Sequence, residues 1–442
     1  MNSTIVALAT PPLKSALAII RVSGDEAFSY TSEIFSKPLK DIKKRTSLVG
    51  YIKDDNETID QVVLIAYPHP NSMTGEDVVE IICHGSMLIA NEIINCYLKR
   101  GAAMATRGEF TMRAFLHNKI NLLEAEAIND LINATTKESQ KLSLMAMHGD
   151  TTSLIEPLKT KVADLLSLIE VNIDYPEYQD IEQANDETIL KTAKIIREEV
   201  KKLISQGKEG KTIKEGVKIA LIGEPNVGKS SLLNSLIHED KAIVSDIPGT
   251  TRDVVEGETN YRGLTLRFFD TAGIREKADK LEQIGIEKAE KIIKDADVII
   301  LVIDAKKGRT DEDPKILDAI KDKKVIEVYN KSDLISKQDN DKFYVSAISK
   351  NITPLLDKIY EAVGVSDEAF SIPSLNNVRQ ISTLQRIDKA LSEAEKDARM
   401  GIPVDLISSN LMVAYNGFRE LLGEEITNNL TDEIFSRFCV GK

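Results

Sequence analysis

A glycine-rich stretch near the middle of the chain constrains its fold more than any other feature. Residues 223–230 read Gly-Glu-Pro-Asn-Val-Gly-Lys-Ser, which fits the pattern G-x-x-x-x-G-K-[ST]. An apolar run over residues 217–222 precedes this loop, and a helix-like pattern over 231–237 follows it. The glycines let the backbone curl around phosphate oxygens, which the positive end of the following helix also attracts. The order strand, loop and helix predicts a nucleotide-binding α/β domain, and it disfavours a chance match at a glycine turn.

The residues of this phosphate loop have separate expected roles. Lys229 would contact the β- and γ-phosphates, and the Ser230 hydroxyl would coordinate Mg²⁺. The nucleotide-binding candidates in the loop are Asn226, Val227, Gly228, Lys229, Ser230 and Ser231.

Four further motifs follow in the order typical of a GTPase. Residues 249–253 supply a threonine, Thr251, for the Mg²⁺ shell, and residues 270–273 place a carboxylate near the metal. Residues 330–333 read Asn-Lys-Ser-Asp, which indicates guanine because the last carboxylate can accept from two neighbouring donors of that base. A backbone N–H in residues 346–348 would contact the guanine O6. These motifs predict a GTPase domain over residues 216–370, with nucleotide contacts from Asp270, Thr271, Ala272, Gly273, Asn330, Lys331, Asp333, Ser346 and Ala347.

Composition limits the remaining possibilities. With 442 residues the chain exceeds the size of one hydrophobic core, so two or three domains are expected. The three cysteines form no paired framework or metal-type cluster, which favours a reducing cytoplasmic location. No apolar stretch is long enough to span a bilayer. A net charge of −13 disfavours broad, nonspecific nucleic-acid binding, and the basic residues are scattered.

The rest of the sequence divides into an α+β region and helical segments. Residues 1–118 alternate strand-like runs with short helices, whereas 119–215 and 371–442 carry helical periodicity. A helix is predicted from residue 186 to 204, with a hydrophilic hinge at 206–210. The economical interpretation is a multidomain α+β and α/β protein whose GTPase domain is inserted into a discontinuous all-α domain. Two independent helical domains are the alternative.

Seven short motifs outside the GTPase region are spread along the chain. They are Ala9-Thr10-Pro11, Arg21-Val22-Ser23-Gly24, Thr74-Gly75-Glu76-Asp77, Arg107-Gly108-Glu109-Phe110, the segment 113–119, the segment 123–128, and Cys439-Val440-Gly441-Lys442. In this order they resemble the MnmE (TrmE) family of bacterial and organellar tRNA modification GTPases. The resemblance covers nearly the whole chain and also favours the split helical domain.

The resemblance implies a specific reaction. With the flavoprotein MnmG (GidA), in a heterotetramer, the family forms the 5-aminomethyl or 5-carboxymethylaminomethyl group on wobble uridine 34 of tRNA. The one-carbon unit comes from 5-formyl- or methylene-tetrahydrofolate, which the N-terminal domain binds while also forming the homodimer. The resemblance assigns the folate contacts to Arg21, Glu80, Lys119 and Lys442. Residues 12–15 and 84–86 contain fewer glycines than the family pattern, so we expect a differently shaped loop there.

The resemblance also implies how GTP is hydrolysed. Ile274 follows the 270–273 motif and cannot orient water, so that role passes to Glu282. K⁺ replaces an arginine finger when two GTPase domains pair, with ligands from Asn226, Ser245, Ile247 and Thr250. The implied contacts in this stretch are Ser245, Asp246, Ile247, Pro248, Gly249, Thr250 and Thr251.

Cys439 in the C-terminal tail has two interpretations. It could act as a nucleophile or acid/base, with Arg437 and Lys442 lowering the pKa of its thiol, or it could be a buried packing residue. The function has an alternative as well, a regulatory GTPase of ribosome assembly or stress response without tRNA chemistry. Binding of tetrahydrofolate by residues 1–118 would distinguish the two functions.

Overall fold

The computed structural model describes residues 3–55, 57–174, 186–238, 257–270, 291–309, 320–336, 338–349, 352–425 and 428–441. The chain forms two compact units, each built from separated segments. The first unit takes the described parts of 1–129, 146–182 and 408–442, and the second those of 130–145 and 183–407. The domain boundaries at residues 118, 215 and 370 stay predictions.

The first unit contains a six-stranded, mainly antiparallel sheet in the order β3-β4-β5-β2-β1-β6, with only β1 and β6 parallel. Its strands are β1 Ile5–Leu8, β2 Leu17–Ser23, β3 Thr46–Asp54, β4 Glu57–Tyr67, β5 Val78–His84 and β6 Ala103–Met104. Three helices accompany the sheet, α1 Ala27–Ile34, α2 Met87–Lys99 and α3 Glu109–Leu116. This mixed architecture agrees with the α+β character predicted for the N-terminal region.

The two faces of this sheet differ in what covers them. Ile20, Ile81 and Leu64 pack with α1 and α2 in one buried core. Because side chains alternate along a strand, Arg21 and Glu80 lie on the opposite face. On that face, Phe110 of α3 packs with Ala7 and its neighbours. The face with Arg21 and Glu80 is therefore the one available for a polar site.

The second unit contains a five-stranded sheet in the order β11-β10-β7-β9-β8. Its strands are β7 Val217–Ile222, β8 Gly257–Tyr261, β9 Leu264–Asp270, β10 Val298–Asp304 and β11 Lys324–Asn330. Only the edge strand β8 is antiparallel to its neighbour. Every residue of β10 is buried, as expected for a parallel strand covered on both faces. The predicted strand, loop and helix around the phosphate loop are confirmed.

Nine further α-helices lie in the described segments. They are α4 Leu122–Ile132, α5 Lys137–Met147, α6 Asp150–Asp174, α7 Asp186–Glu215, α8 Lys229–His238, α9 Thr353–Val363, α10 Val378–Arg399, α11 Val404–Leu422 and α12 Asn428–Phe435. No helix in the described ranges is both long and apolar enough to cross a membrane.

The hinge predicted at residues 206–210 is wrong, because α7 continues through it to Glu215. Two glycines in this part of the helix allow another segment to pack closely against it. A Cβ at Gly207 would lie 2.3 Å from the Leu375 carbonyl oxygen, and one at Gly210 would lie 2.2 Å from Ser374 Oγ. The glycines that suggested a break therefore let residues 374–375 approach the helix.

Candidate functional sites

The predicted nucleotide residues meet at one edge of the five-stranded sheet. The parallel strands β7, β9, β10 and β11 end at Ile222, Asp270, Asp304 and Asn330. Carboxyl ends of parallel strands share one edge, where ligands of open α/β sheets bind. The topology thus brings motifs separated by more than a hundred residues to the phosphate loop.

Two glycines of the phosphate loop are required by geometry. Gly223 and Gly228 have φ values of 146° and 95°, which L side chains rarely adopt. A Cβ at Gly223 would lie 2.2 Å from the Val302 carbonyl oxygen, and one at Gly228 would lie 2.4 Å from Asn330 Nδ2. The loop is consequently packed against β10 and the guanine motif by its backbone.

Two side chains at the start of α8 fit phosphate and Mg²⁺. The buried Lys229 ammonium donates to the carbonyl oxygens of Gly223 (2.9 Å) and Glu224 (2.7 Å), which holds its charge over the loop. The Ser230 hydroxyl donates to Asp270 Oδ2 at 2.9 Å. A hydroxyl beside a carboxylate provides the oxygen ligands that Mg²⁺ prefers. The residues present therefore fit the predicted metal.

The guanine motif is joined to the phosphate loop by direct hydrogen bonds. Asn330 Nδ2 donates to the Val227 carbonyl oxygen at 3.0 Å, and Asn330 Oδ1 accepts the Ala347 N–H at 3.2 Å. The Ser346 hydroxyl donates to Asp333 Oδ1 at 2.6 Å, which fixes the carboxylate assigned to guanine. These bonds place the phosphate-binding and base-binding segments in one network.

Asp304 is a residue of this network that the sequence analysis did not identify. Lys331 Nζ donates to Asp304 Oδ2 and to the Asn226 carbonyl oxygen, both at 2.7 Å. Burial alone would raise the pKa of Asp304, because it disfavours the charged carboxylate. Hydrogen bonds from Lys331 and from the Lys306 and Lys307 N–H groups outweigh this effect, so the pKa is lowered. Its position at the end of an apolar strand, like that of Asp270, was the available sequence signal.

A second polar site lies on the six-stranded sheet of the first unit. The Arg21 guanidinium donates to Glu80 Oε1 from Nε (3.0 Å) and Nη2 (2.8 Å), and from Nη1 to the Gly441 carbonyl oxygen (3.0 Å). The Tyr67 hydroxyl donates to Glu80 Oε2 at 3.2 Å, and burial together with the Glu80 charge raises the pKa of Tyr67. Arg21 also stacks over the Phe110 ring, 5.6 Å from its centroid. The register between β2 and β5 thus places the two predicted folate-contact residues, Arg21 and Glu80, side by side.

Neighbouring motif residues extend this site, although the sequence analysis gave them no role. The Ser23 hydroxyl donates to Glu76 Oε2 at 2.6 Å, and Arg113 Nη1 binds Glu76 Oε1 at 3.0 Å. Ser23, Glu76 and Arg113 belong to three of the quoted motifs, which was the signal that could have identified them. Lys119 is exposed, and its Cγ would lie 3.5 Å from a Cβ placed on Gly75. The predicted Lys119 therefore borders the loop that carries Glu76.

The C-terminal tail docks on the same domain. Val440 forms a β-bridge with Arg107, and the Gly108 N–H donates to the Cys439 carbonyl oxygen at 3.2 Å. Cys439 is exposed, so the buried position considered for it is wrong, and its catalytic role stays a prediction. By contrast, burial raises the pKa of the Cys83 thiol to about 11. Arg437 Nη2 lies 2.7 Å from Glu433 Oε1, so the Arg437 charge is engaged by a carboxylate.

Comparison with known proteins identifies the family. The family models described as "MnmE helical domain" and "GTP-binding protein TrmE N-terminus" match residues 122–439 and 4–119. The tRNA modification GTPase MnmE of Bacillus subtilis (strain 168) is 37% identical over 459 residues, covering 99% of this chain and all of that protein. The same-named protein of Ligilactobacillus salivarius (strain UCC118) is 39% identical over 454 residues, covering 99% and 98% of the two chains.

The chain belongs to the MnmE family. The resemblance seen in the seven motifs is thereby confirmed, and so is the GTPase class predicted from the phosphate loop and guanine motif. Among solved structures, Aquifex aeolicus Era bound to GDP·AlF₄⁻ is 30% identical over 39% of this chain and 65% of its own, with a TM-score of 0.28. The G domain of the T. maritima FeoB iron transporter is 29% identical over 33% of this chain and 98% of its own, with a TM-score of 0.26.

Part of the predicted MnmE-type site lies outside the described residues. This applies to the K⁺ and switch candidates, to the water-positioning glutamate and to the terminal lysine. They stay predictions, and they are Ser245, Asp246, Ile247, Pro248, Gly249, Thr250, Thr251, Thr271, Ala272, Gly273, Glu282 and Lys442.

Proposed function

We propose that this tRNA modification GTPase uses a tetrahydrofolate one-carbon donor, bound at the Arg21–Glu80 site, to modify wobble uridine 34. The observation that carries the proposal is the Arg21 guanidinium, which hydrogen-bonds both Glu80 and the Gly441 carbonyl oxygen. A charged centre on the sheet and the tail bearing Cys439 are thus held together. The bound donor would supply the one-carbon unit of the 5-aminomethyl or 5-carboxymethylaminomethyl group.

The chemistry of the Arg21–Glu80 site suits the two ends of a folate. The Glu80 carboxylate can accept from an amidine-like pterin edge, and the Arg21 fork suits a carboxylate. Both side chains are about one-fifth exposed, at 17% and 20%, so a ligand can reach them. Lys119 and Lys442 would bind the glutamate carboxylates of the donor. Cys439 is exposed and precedes by two residues the Gly441 carbonyl that accepts from Arg21, so its thiol is a candidate nucleophile or acid/base.

Hydrolysis at the nucleotide site would provide the conformational drive. Lys229, Ser230 and Asp270 would hold the phosphates and Mg²⁺, and Glu282 would position the attacking water. We infer that Asn226, Ser245, Ile247 and Thr250 would hold a K⁺ ion when two GTPase domains pair, and that this ion would supply positive charge opposite the phosphates. The Asn226 backbone is fixed by Lys331 while its side chain is exposed, which leaves the amide available to a cation.

The partners of the reaction follow from the same proposal. The chain would act as a homodimer and form a heterotetramer with the flavoprotein MnmG. The cytoplasmic location stays a prediction from the cysteine pattern.

Binding of 5-formyl-tetrahydrofolate to the full chain tests the folate site. Glu80→Gln removes the charge that pairs with Arg21 and would accept from the pterin. We therefore expect the dissociation constant to rise at least tenfold, which is a loss of about 1.4 kcal/mol of binding free energy. Glu92→Gln, an exposed glutamate on α2, is the matched control and should bind as the wild type does. Wild-type affinity in Glu80→Gln would remove this residue from the folate site.

A further inference from the structure

A strongly basic segment, residues 37–45, connects α1 to β3 in the first unit. Five of its nine residues are basic and one is acidic, which gives a local charge of +4 in a chain with a net charge of −13. All five basic residues are exposed, and they are Lys37, Lys40, Lys43, Lys44 and Arg45. The segment therefore forms a local patch of positive charge on the surface of this unit.

The charges of the basic segment have no ionic partner among the described residues. None of its five basic side chains forms an ion pair with a residue that the structure describes. Other basic side chains of the same domain are paired, Lys99 with Asp54 at 2.6 Å and Arg113 with Glu76 at 3.0 Å. The segment thus offers its charges to an external anion.

The backbone of the basic segment is anchored. Leu39 is buried and its N–H donates to Ser32 Oγ at 3.0 Å, while the Thr46 hydroxyl donates to the Lys44 carbonyl oxygen at 2.8 Å. Just before the segment, the Ser36 N–H donates to the Tyr51 carbonyl oxygen at 2.9 Å. Ordering a flexible loop on binding costs free energy. A segment whose backbone is already anchored pays less of this ordering cost when it binds a ligand.

The basic segment ends beside the Arg21–Glu80 site. Thr46 pairs with Ala66, and continuing this register by one residue places Arg45 opposite Tyr67, on the sheet face that carries Glu80. The positive charge of Arg45 acts on Tyr67, where it opposes the rise in pKa caused by burial and by Glu80. Strands are spaced by about 4.8 Å, so two strand spacings, about 10 Å, separate the segment's end from the Glu80 strand.

We propose that the basic segment binds the phosphate backbone of the tRNA substrate and so holds the RNA next to the Arg21–Glu80 site. This inference rests on the proposed function, in which that site carries the modification chemistry. Lysine and arginine contacts to phosphates orient a nucleic acid without reading its bases, and each contact releases counterions. The binding is therefore strongly dependent on salt.

The test measures binding of labelled, unmodified tRNA to the full chain at about 50 and about 200 mM KCl, a range in which phosphate contacts respond strongly to salt. The variant Lys40→Gln/Lys43→Gln/Lys44→Gln is compared with a matched one on α7, Lys201→Gln/Lys202→Gln/Lys208→Gln, which also removes three exposed lysines. Loss of three phosphate contacts should make the slope of log K against log salt shallower by about 2 to 3. We expect at least tenfold weaker binding at low salt, with GTP turnover unchanged and only a small effect of the α7 variant.

Three results separate the possible failures. If the two triple variants lose equal affinity and slope, the basic segment is not the tRNA surface, although the proposed function stands. If wild type binds no tRNA, the proposed function fails and this inference fails with it. If the segment variant binds tRNA normally but loses an acidic partner protein, the segment is a protein-docking surface instead. Arginine at the three lysine positions should restore binding, because it conserves the charge.

Discussion

The nucleotide site draws many of its contacts from the backbone of short loops, whereas the Arg21–Glu80 site draws them mainly from side chains on separate strands. In the nucleotide site, Lys229 and Asn330 donate to carbonyl oxygens of the phosphate loop. In the other site, Arg21 on β2 donates to Glu80 on β5 and to a carbonyl 420 residues further along the chain, and Tyr67 on β4 donates to Glu80. Loop geometry therefore specifies the first site, and strand register with tail docking specifies the second.

This difference determines how each site responds to a substitution. Backbone carbonyl groups remain when a side chain is replaced, so the phosphate loop can keep its shape while losing one function. The Arg21–Glu80 site should lose both its proposed chemistry and its assembly when either partner is removed, because the remaining charge is left partly buried without its ionic partner.

The largest expected effect is on GTP turnover, and it tests whether the nucleotide site and the Arg21–Glu80 site work independently. Lys229→Ala removes the ammonium that would contact the β- and γ-phosphates, so GTP turnover should fall at least about a hundredfold. Binding of 5-formyl-tetrahydrofolate should stay at the wild-type level, because the loop and the folate site share no residue. Steady-state phosphate release and folate titration measure both, with Lys307→Ala, an exposed lysine of the same sheet region, as the control. Loss of folate binding in Lys229→Ala would show that the two sites are not independent.

The next effect concerns the K⁺ ion proposed to bind at the phosphate loop. GTP turnover should be stimulated about tenfold or more by K⁺ over Na⁺ at matched ionic strength, since a bound cation can stabilise charge at the transferring phosphate. Asn226→Ala should abolish this stimulation while retaining GTP binding, because the Lys331 bond is to the Asn226 backbone. Equal rates in the two salts would exclude the K⁺ mechanism and direct attention to an external activating protein.

The smallest effect tests whether a side chain supports the loop. Asp304→Asn weakens the bond to Lys331, so GTP affinity should fall about threefold to tenfold and unfolding should need about 1–2 kcal/mol less. Asp295→Asn, which changes an exposed carboxylate before β10, should have no effect. A GTP dissociation constant that is unchanged in Asp304→Asn would mean that Lys331 is positioned without Asp304.

The lowered pKa of Asp304 predicts how the stability difference between wild type and Asp304→Asn depends on pH. The folded state lowers the pKa of this carboxyl below its ordinary value of 3.8. The stabilisation is therefore present above about pH 4 and is lost as pH falls through the folded-state pKa. Urea unfolding of wild type and Asp304→Asn should differ most near neutral pH and converge in acid. A difference that grows on acidification would contradict the assigned ion pair.

Local patterns predicted much of the fold and of the nucleotide site. The phosphate loop, the strand before it and the guanine motif were assigned from neighbouring residues, since a tight turn and a helix start are set by short stretches. The same reasoning failed at residues 206–210, where glycines that suggested a hinge lie within α7. Their close contact with residues 374–375 involves a segment more than 160 residues away, which local patterns do not reveal.

The sequence by itself determined the family, the nucleotide class and the residues at the phosphate loop, because each depends on short motifs whose order is preserved. Only the tertiary structure decided that Asp304 supports Lys331, that the tail reaches Arg21, and that residues 37–45 end beside Tyr67. These contacts arise from strand register and from packing between distant segments. They therefore become visible only when the chain is folded.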